Sequence, residues 1–94
     1  MCGRFINLTG INSIKKIFNI DSSLNINLLS FNISPSQNCH IIFKKNDLKI
    51  DVAKWGYIFN DSKTNQEKNA INSRLETIAN KILFKDSYYE RKCI

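Results

Sequence analysis

Cys39-His40-Ile41-Ile42-Phe43 and Leu48-Lys49-Ile50-Asp51-Val52 flank a polar turn from Lys44 to Asp47, and together they predict a β-hairpin. The second run alternates apolar and polar residues, so that one face of the strand turns inward. Downstream, Trp55-Gly56-Tyr57-Ile58-Phe59 reads as a further aromatic strand. Exposed aromatics stack on unpaired bases for about 1–3 kcal/mol each, but a Trp in an apolar strand is more often core, and Trp55 is assigned there. Asn60 to Asn69 is wholly polar and is expected to be a mobile surface loop. Ile71-Asn72-Ser73-Arg74 is too short to classify. From Glu76 to Lys92, Ile78, Ile82, Leu83, Tyr88 and Tyr89 are spaced as an inward stripe on one helix or two, and Cys93-Ile94 begins another strand.

Upstream of the hairpin, Leu28 to Ile33 is extended chain running into Ser34-Pro35, where the proline disfavours helix for its predecessor. Asp21 to Asn27 is polar and turn-forming. Before it, Ile11, Ile14, Ile17 and Phe18 give a short helix one buried face, with Thr9 as its cap and an end near Asn19-Ile20. The expectation is one domain of mixed α and β structure.

Bulk properties narrow the function classes. A chain of 94 residues suffices for one small domain with little stability in reserve. No run approaches the roughly 18 apolar residues of a membrane span, and the N-terminus lacks a signal-peptide pattern, so a cytoplasmic location and no membrane partner are expected. Cys2, Cys39 and Cys93 are an odd number without CxxC spacing, which suggests neither a disulfide framework nor a zinc cluster. Cys39 and Cys93 read as buried hydrophobes. Adjacent Cys39 and His40 point to opposite faces of a strand, so His40 is structural and no metal or cofactor is expected. Fourteen basic residues against eight acidic give +6, which favours a polyanion such as nucleic acid. The lysines are dispersed along the chain, the usual pattern of a solvated surface.

Met1-Cys2-Gly3-Arg4-Phe5 carries the chemistry. Removal of Met1 would leave Cys2 with a free α-amine and a thiol, whose ordinary pKa values are about 8 and about 8.5. The amine condenses with an aldehyde to a Schiff base, and the thiol then closes a five-membered thiazolidine ring. That closure is intramolecular, and well-oriented intramolecular steps reach effective molarities on the order of 10⁵ M or more. By itself, a cysteine at position 2 is more often incidental.

Four separated segments shift that balance, since together they resemble the SOS-response-associated peptidase family, whose members act on abasic sites in single-stranded DNA. Residues 1 to 5 are the family's opening Met-Cys-Gly-Arg-Phe. Asn32-Ile33-Ser34-Pro35-Ser36-Gln37 resembles its Asn-Ile-Ala-Pro-Thr-Gln, and Trp55-Gly56-Tyr57-Ile58 its Trp-Gly-Leu-Ile. Asn72-Ser73-Arg74-Leu75-Glu76-Thr77, followed by Arg91-Lys92-Cys93-Ile94, is similar to its Asn-Ala-Arg-Ser-Glu-Thr and Arg-Arg-Cys-Leu. Order and spacing agree across essentially all 94 residues, which correspond to the N-terminal part of the longer family domain.

The resemblance implies an α+β fold, mainly antiparallel β-sheet with short helices, as a single partial domain over residues 1–94 that ends before the family's C-terminal catalytic segments. It implies that Cys2 is the covalent nucleophile, forming a thiazolidine DNA–protein crosslink at the ring-opened sugar of an abasic site. Arg4 and Arg74 match positions that hold backbone phosphates, and Asn72 matches the asparagine beside the cysteine, where an amide can bond the sugar or hold the amine. For the arginines the alternative is a pair of structural salt bridges, and for Asn72 a turn. The sequence departs from the family in having Leu75 for the usual serine, and a polar stretch after Phe59 in place of a proline and a second tryptophan. The family's catalytic glutamate and histidine would lie beyond residue 94, and neither Glu90 nor His40 replaces them. Autopeptidase removal of Met1 and crosslink reversal, the family's protease and lyase activities, are therefore expected to be impaired. Expected partners are single-stranded DNA with an abasic site, together with a complementary chain or the replication machinery. The alternatives are a noncatalytic, basic single-stranded-DNA-binding remnant and a nonfunctional gene fragment.

Overall fold

The structure, a computed structural model, describes residues 3–90. Strand β1 (Phe5–Asn7) leads into helix α1 (Ile11–Phe18), and β2 (Ser30–Ile33), β3 (Asn38–Lys44), β4 (Leu48–Lys54), β5 (Tyr57–Asp61) and β6 (Gln66–Ala70) follow. Two short helices, α2 (Leu75–Ile78) and α3 (Lys85–Glu90), come last. The strands pair as three antiparallel ladders, β1 with β2, β3 with β4 and β5 with β6. The fold is α+β and mainly β, as the sequence reading has it.

The β3–β4 hairpin holds an unbroken register from Asn38 opposite Lys54 to Lys44 opposite Leu48. Ile42 faces Ile50 in that register, and the pair meets α1. Ile11 and Ile14 of α1 pack with Ile20 and Ile50 as the buried core, flanked by Leu24 and Ile42. Full burial of such a side chain contributes about 1.5–3 kcal/mol, so these few isoleucines hold the helix on the hairpin. His40, on the same hairpin, donates from Nε2 to the Ile26 carbonyl at 2.7 Å and ties down the 21–27 segment. Its role is structural, as its adjacency to Cys39 predicts.

Helix α1 departs from the sequence reading at its start and in its apolar face, while its end at Asn19 falls where that reading puts it. Its N-cap is Gly10, not Thr9, and no side chain of the cap residue bonds the first turn. Asn27 supplies that bond from 16 residues away, its Oδ1 accepting the Ile11 N–H at 2.8 Å. A cap of this kind is worth about 0.5–2 kcal/mol, and a local pattern search cannot find it. At the other end Asn19 takes a left-handed conformation with φ of 52°, and the Ile20 N–H reaches back to the Lys15 carbonyl at 2.8 Å. That turn buries Ile20 and leaves Ile17 and Phe18 exposed, so the apolar face is shorter than its spacing suggests.

Asn60 to Asn69 is not a loop. Residues 57–61 and 66–70 pair in continuous register from Tyr57 opposite Ala70 to Asp61 opposite Gln66, around a turn in which Asn65 has φ of 52°. Lys68 Nζ forms an ion pair with Asp61 Oδ2 across the strands. Backbone hydrogen bonds rather than apolar alternation carry this ladder, which explains its silence in the sequence. Downstream, the helical stretch divides into α2 and α3. Ile82, at 95% exposure, and Tyr89 stand outside the expected inward stripe, while Ile78, Leu83 and Tyr88 are half-buried. The expected strand at Cys93-Ile94 lies outside the described residues.

Candidate functional site

Trp55 sits at the bend between β4 and β5, and three of the sequence segments singled out above meet on it. Its indole Nε1 donates to the Gly3 carbonyl at 2.9 Å, and the Phe5 ring stands edge-on to it at 5.9 Å between centroids. The Ser36 N–H donates to the Trp55 carbonyl at 2.9 Å, and the Trp55 N–H to the Gln37 carbonyl at 2.8 Å. The turn from Ser34 to Gln37 is closed on itself, because Gln37 Oε1 accepts the Ser34 N–H at 2.7 Å. Trp55 is half-buried rather than fully core. Its apolar ring packs while its N–H serves as a polar handle, the usual division of labour in a partly buried Trp.

Gly56 makes the bend possible. Its φ of 109° lies where side chains are strained, and a Cβ there would stand 2.1 Å from Asn69 Oδ1. Asn69 uses that space to donate from Nδ2 to Ser36 Oγ at 3.0 Å and to the Trp55 carbonyl at 3.3 Å. It thus locks β6 to the Ser34–Gln37 turn. Nothing in the sequence reading selects Asn69, which stands inside a stretch taken for a loop.

The N-terminal arm lies against the same framework. A Cβ on Gly3 would come within 2.9 Å of Ile71 Cδ1, so the Gly3 backbone is held between Trp55 and Ile71. Ile71 is followed directly by Asn72, Ser73 and Arg74. Cys2, the expected nucleophile, lies outside the described residues, and Gly3 is the residue after it in sequence. Arg4 Nη1 donates to Asn32 Oδ1 at 3.2 Å, joining the first motif to the second. Asn32 is neutral, so this contact is a hydrogen bond and not the structural salt bridge expected as the alternative role of Arg4.

Asn72 and Arg74 are exposed and line one open groove of 380 Å³, with Ser73, Thr77, Lys81 and Phe84. Arg74 caps α2 through its backbone, its carbonyl accepting the Ile78 N–H at 3.0 Å. Its guanidinium makes no ion pair among the described residues, where Lys68–Asp61 is the one salt bridge, so the salt-bridge alternative finds no carboxylate there. Asn72, Ser73 and Phe84 also border an apolar cavity of 410 Å³ whose further walls include Trp55, Tyr57 and Ile71. Phe84 meets Tyr57 edge-on at 5.4 Å, and Ser87 Oγ donates to Tyr57 Oη at 3.3 Å, which docks the C-terminal helical segment on β5. The tertiary fold therefore brings Gly3 and Asn72 to the surroundings of Trp55 and sets Arg74 in the groove that Asn72 also lines, while Arg4 is turned toward β2.

Cys39 is buried on the floor of the apolar cavity, and desolvation pushes its thiol up from the usual range. A thiol so placed is a poor nucleophile at neutral pH. Among the described residues no group of three His, Cys, Asp or Glu side chains could hold a metal ion, and no helix is long and apolar enough to cross a membrane.

No curated protein and no solved structure gives a significant match to this chain. A family-wide sequence profile does match, over residues 1–94 and thus over all four motif segments, and by that match the chain belongs to the SOS response associated peptidase (SRAP) family.

Proposed function

We propose that this protein captures abasic sites in single-stranded DNA through Cys2, as part of a DNA-damage response. Membership of an SOS-response-associated family supports a role in damaged-DNA metabolism. The observation that carries the finer reading is the seat of Gly3, the residue after Cys2, pinned by the Trp55 indole and Ile71 at the head of the Asn72–Arg74 segment. An arm fixed in this way restricts where a terminal aminothiol can reach, and restriction of that kind is what makes intramolecular chemistry fast.

Chemically, the Cys2 α-amine adds to the C1′ aldehyde of the ring-opened sugar and loses water to give an imine. The thiol sulfur then bonds to the imine carbon, and its proton passes to the nitrogen, closing the thiazolidine. The net change is aldehyde plus aminothiol giving thiazolidine plus water, with nothing oxidised or reduced. Asn72 is assigned to hold the sugar or the amine by its amide, and Arg4 and Arg74 to the strand's phosphates. Residues 1–94 are taken as one partial domain of the family.

Incubation with a single-stranded oligonucleotide bearing one abasic site, followed by a denaturing gel, tests the proposal. A shifted band that disappears in Cys2→Ala is expected, with intact mass reporting loss of Met1. No Cys2-dependent band from protein whose Met1 is absent would refute it. The basic groove at Arg74 favours a second reading, noncovalent retention of single strands. That reading requires equal, salt-sensitive binding of intact and abasic oligonucleotides by Cys2→Ala.

A further inference from the structure

We infer that the apolar cavity beside Trp55 is the seat of the Met1 side chain in the chain that still carries it, and that loss of Met1 empties this space beside the new Cys2 amine. The inference goes beyond capture of damaged DNA, since it concerns the chain before that chemistry and needs no strand. The cavity holds 410 Å³, within the range of about 300–1,000 Å³ usual for small-ligand pockets. Ile41, Trp55, Tyr57, Ile71 and Phe84 supply apolar walls, with the buried Cys39 among them. A space lined in this way gains free energy when apolar surface replaces the water in it.

Two contacts aim the N-terminal arm at that space. Trp55 Nε1 donates to the Gly3 carbonyl at 2.9 Å, and a Cβ on Gly3 would stand 2.9 Å from Ile71 Cδ1. Trp55 and Ile71 are both cavity walls, so Gly3 sits at the rim. Two trans peptide steps of about 3.8 Å separate Gly3 from Met1, which keeps the Met1 Cα within roughly 7.6 Å of the Gly3 Cα. The grooves at the end of α1 and beside β2 include neither Trp55 nor Ile71 among their walls, so the pinned arm has this cavity as its apolar neighbour.

The lining also suits methionine among apolar side chains. An unbranched, flexible thioether fills irregular space, and its sulfur makes favourable contacts with aromatic rings. Three rings line the cavity, those of Trp55, Tyr57 and Phe84, and the last two meet edge-on at 5.4 Å between centroids. Asn72 and Ser73 add polar groups to the lining, where the backbone of the arm needs hydrogen-bond partners. The cavity is open on one side, so the Met1 α-ammonium keeps its water while the side chain is buried.

Met1 is the only methionine among the 94 residues, so its methyl group gives a single signal in an NMR spectrum of protein labelled with ¹³C-methyl methionine. The test uses the Cys2→Ala chain, which lacks the nucleophile, released in vitro from an N-terminal fusion so that Met1 is its first residue, with intact mass confirming it. Ring currents should displace the methyl proton resonance upfield of its position in the urea-unfolded chain, with cross-relaxation to ring protons of Trp55 or Phe84. Phe84→Leu keeps an apolar wall and removes one ring, so it should take back part of the displacement while the β3–β4 amide resonances stay in place. A methyl resonance at its unfolded position overturns the proposal and leaves the cavity to another occupant. A displaced methyl that contacts neither ring, or that Phe84→Leu leaves unmoved, overturns this seat, and so does a chain whose β3–β4 amides show no folded dispersion. Because the sample holds neither DNA nor the Cys2 thiol, failure of crosslinking leaves this result untouched, and failure here leaves crosslinking by the processed chain untouched.

Discussion

Replacement of Trp55 by Phe removes one donor and keeps an aromatic ring in place, so it isolates the bond that seats the N-terminal arm. The bond is 2.9 Å long, from indole Nε1 to the Gly3 carbonyl. A neutral hydrogen bond contributes about 0.5–1.5 kcal/mol net, and Gly3 is only half-buried, so its carbonyl can be rehydrated once the donor is gone. Taking ~1 kcal/mol, the arm should leave its seat roughly five-fold more often. Hydrogen exchange read by mass spectrometry is the assay. Peptides covering residues 3–7 should lose protection by about that factor, while those of the β3–β4 hairpin, whose ladder the indole N–H does not enter, should stay unchanged. Trp55→Ala should lose more, because the edge-on Phe5 contact at 5.9 Å goes with it, and such contacts are worth about 0.5–1.5 kcal/mol. If Trp55→Phe left exchange at residues 3–7 unaltered, the indole would not be what holds the arm. If the hairpin lost protection equally, the effect would be global unfolding and the argument from a local tether would fail. Where crosslinking through Cys2 occurs, its rate should fall by no more than the same five-fold factor.

Two further outcomes follow from the same framework. Gly56→Ala should destabilise the fold by about 1–3 kcal/mol, since φ of 109° is hostile to a side chain and the new methyl meets Asn69. The readout is a lower urea midpoint at unchanged slope, with part of the loss recovered by adding Asn69→Ala, and an unshifted midpoint would contradict the backbone geometry. The Asp61 carboxyl is held below its usual range by the hydrogen bond from Lys68, then by the Lys63 N–H, so its contribution to the β5–β6 ladder is present above the unfolded value of about 3.9 and is lost as pH falls through the lowered folded value. Amide protection in Gln66–Ala70 should therefore weaken on the acid side in the wild type and show no such step in Asp61→Asn; identical acid profiles would remove the ion pair from the account.

Periodicity and turn chemistry made the β3–β4 hairpin and helix α1 readable from the sequence, because each buries a face whose pattern is written in neighbouring residues, and Pro35 marked the end of the extended stretch that holds β2. The motif at residues 1–5 and the three internal matches likewise carried the family assignment, which is a property of residue order alone. Other features depended on partners distant in the chain. Asn27 caps a helix that starts 16 residues before it, Asn69 locks β6 to Ser36, and the polar run at residues 66–70 becomes a strand because its backbone has β5 to pair with. The candidate site divides in the same way. Residue types and the motif pointed to Arg4, Asn72 and Arg74, but only the folded chain sets Gly3 on Trp55, turns Arg4 to Asn32 and brings Lys81 to the groove of Arg74. A sequence records which groups are present and which near neighbours share a face. Contacts between groups far apart in the chain exist only once burial and backbone pairing have closed the loops between them.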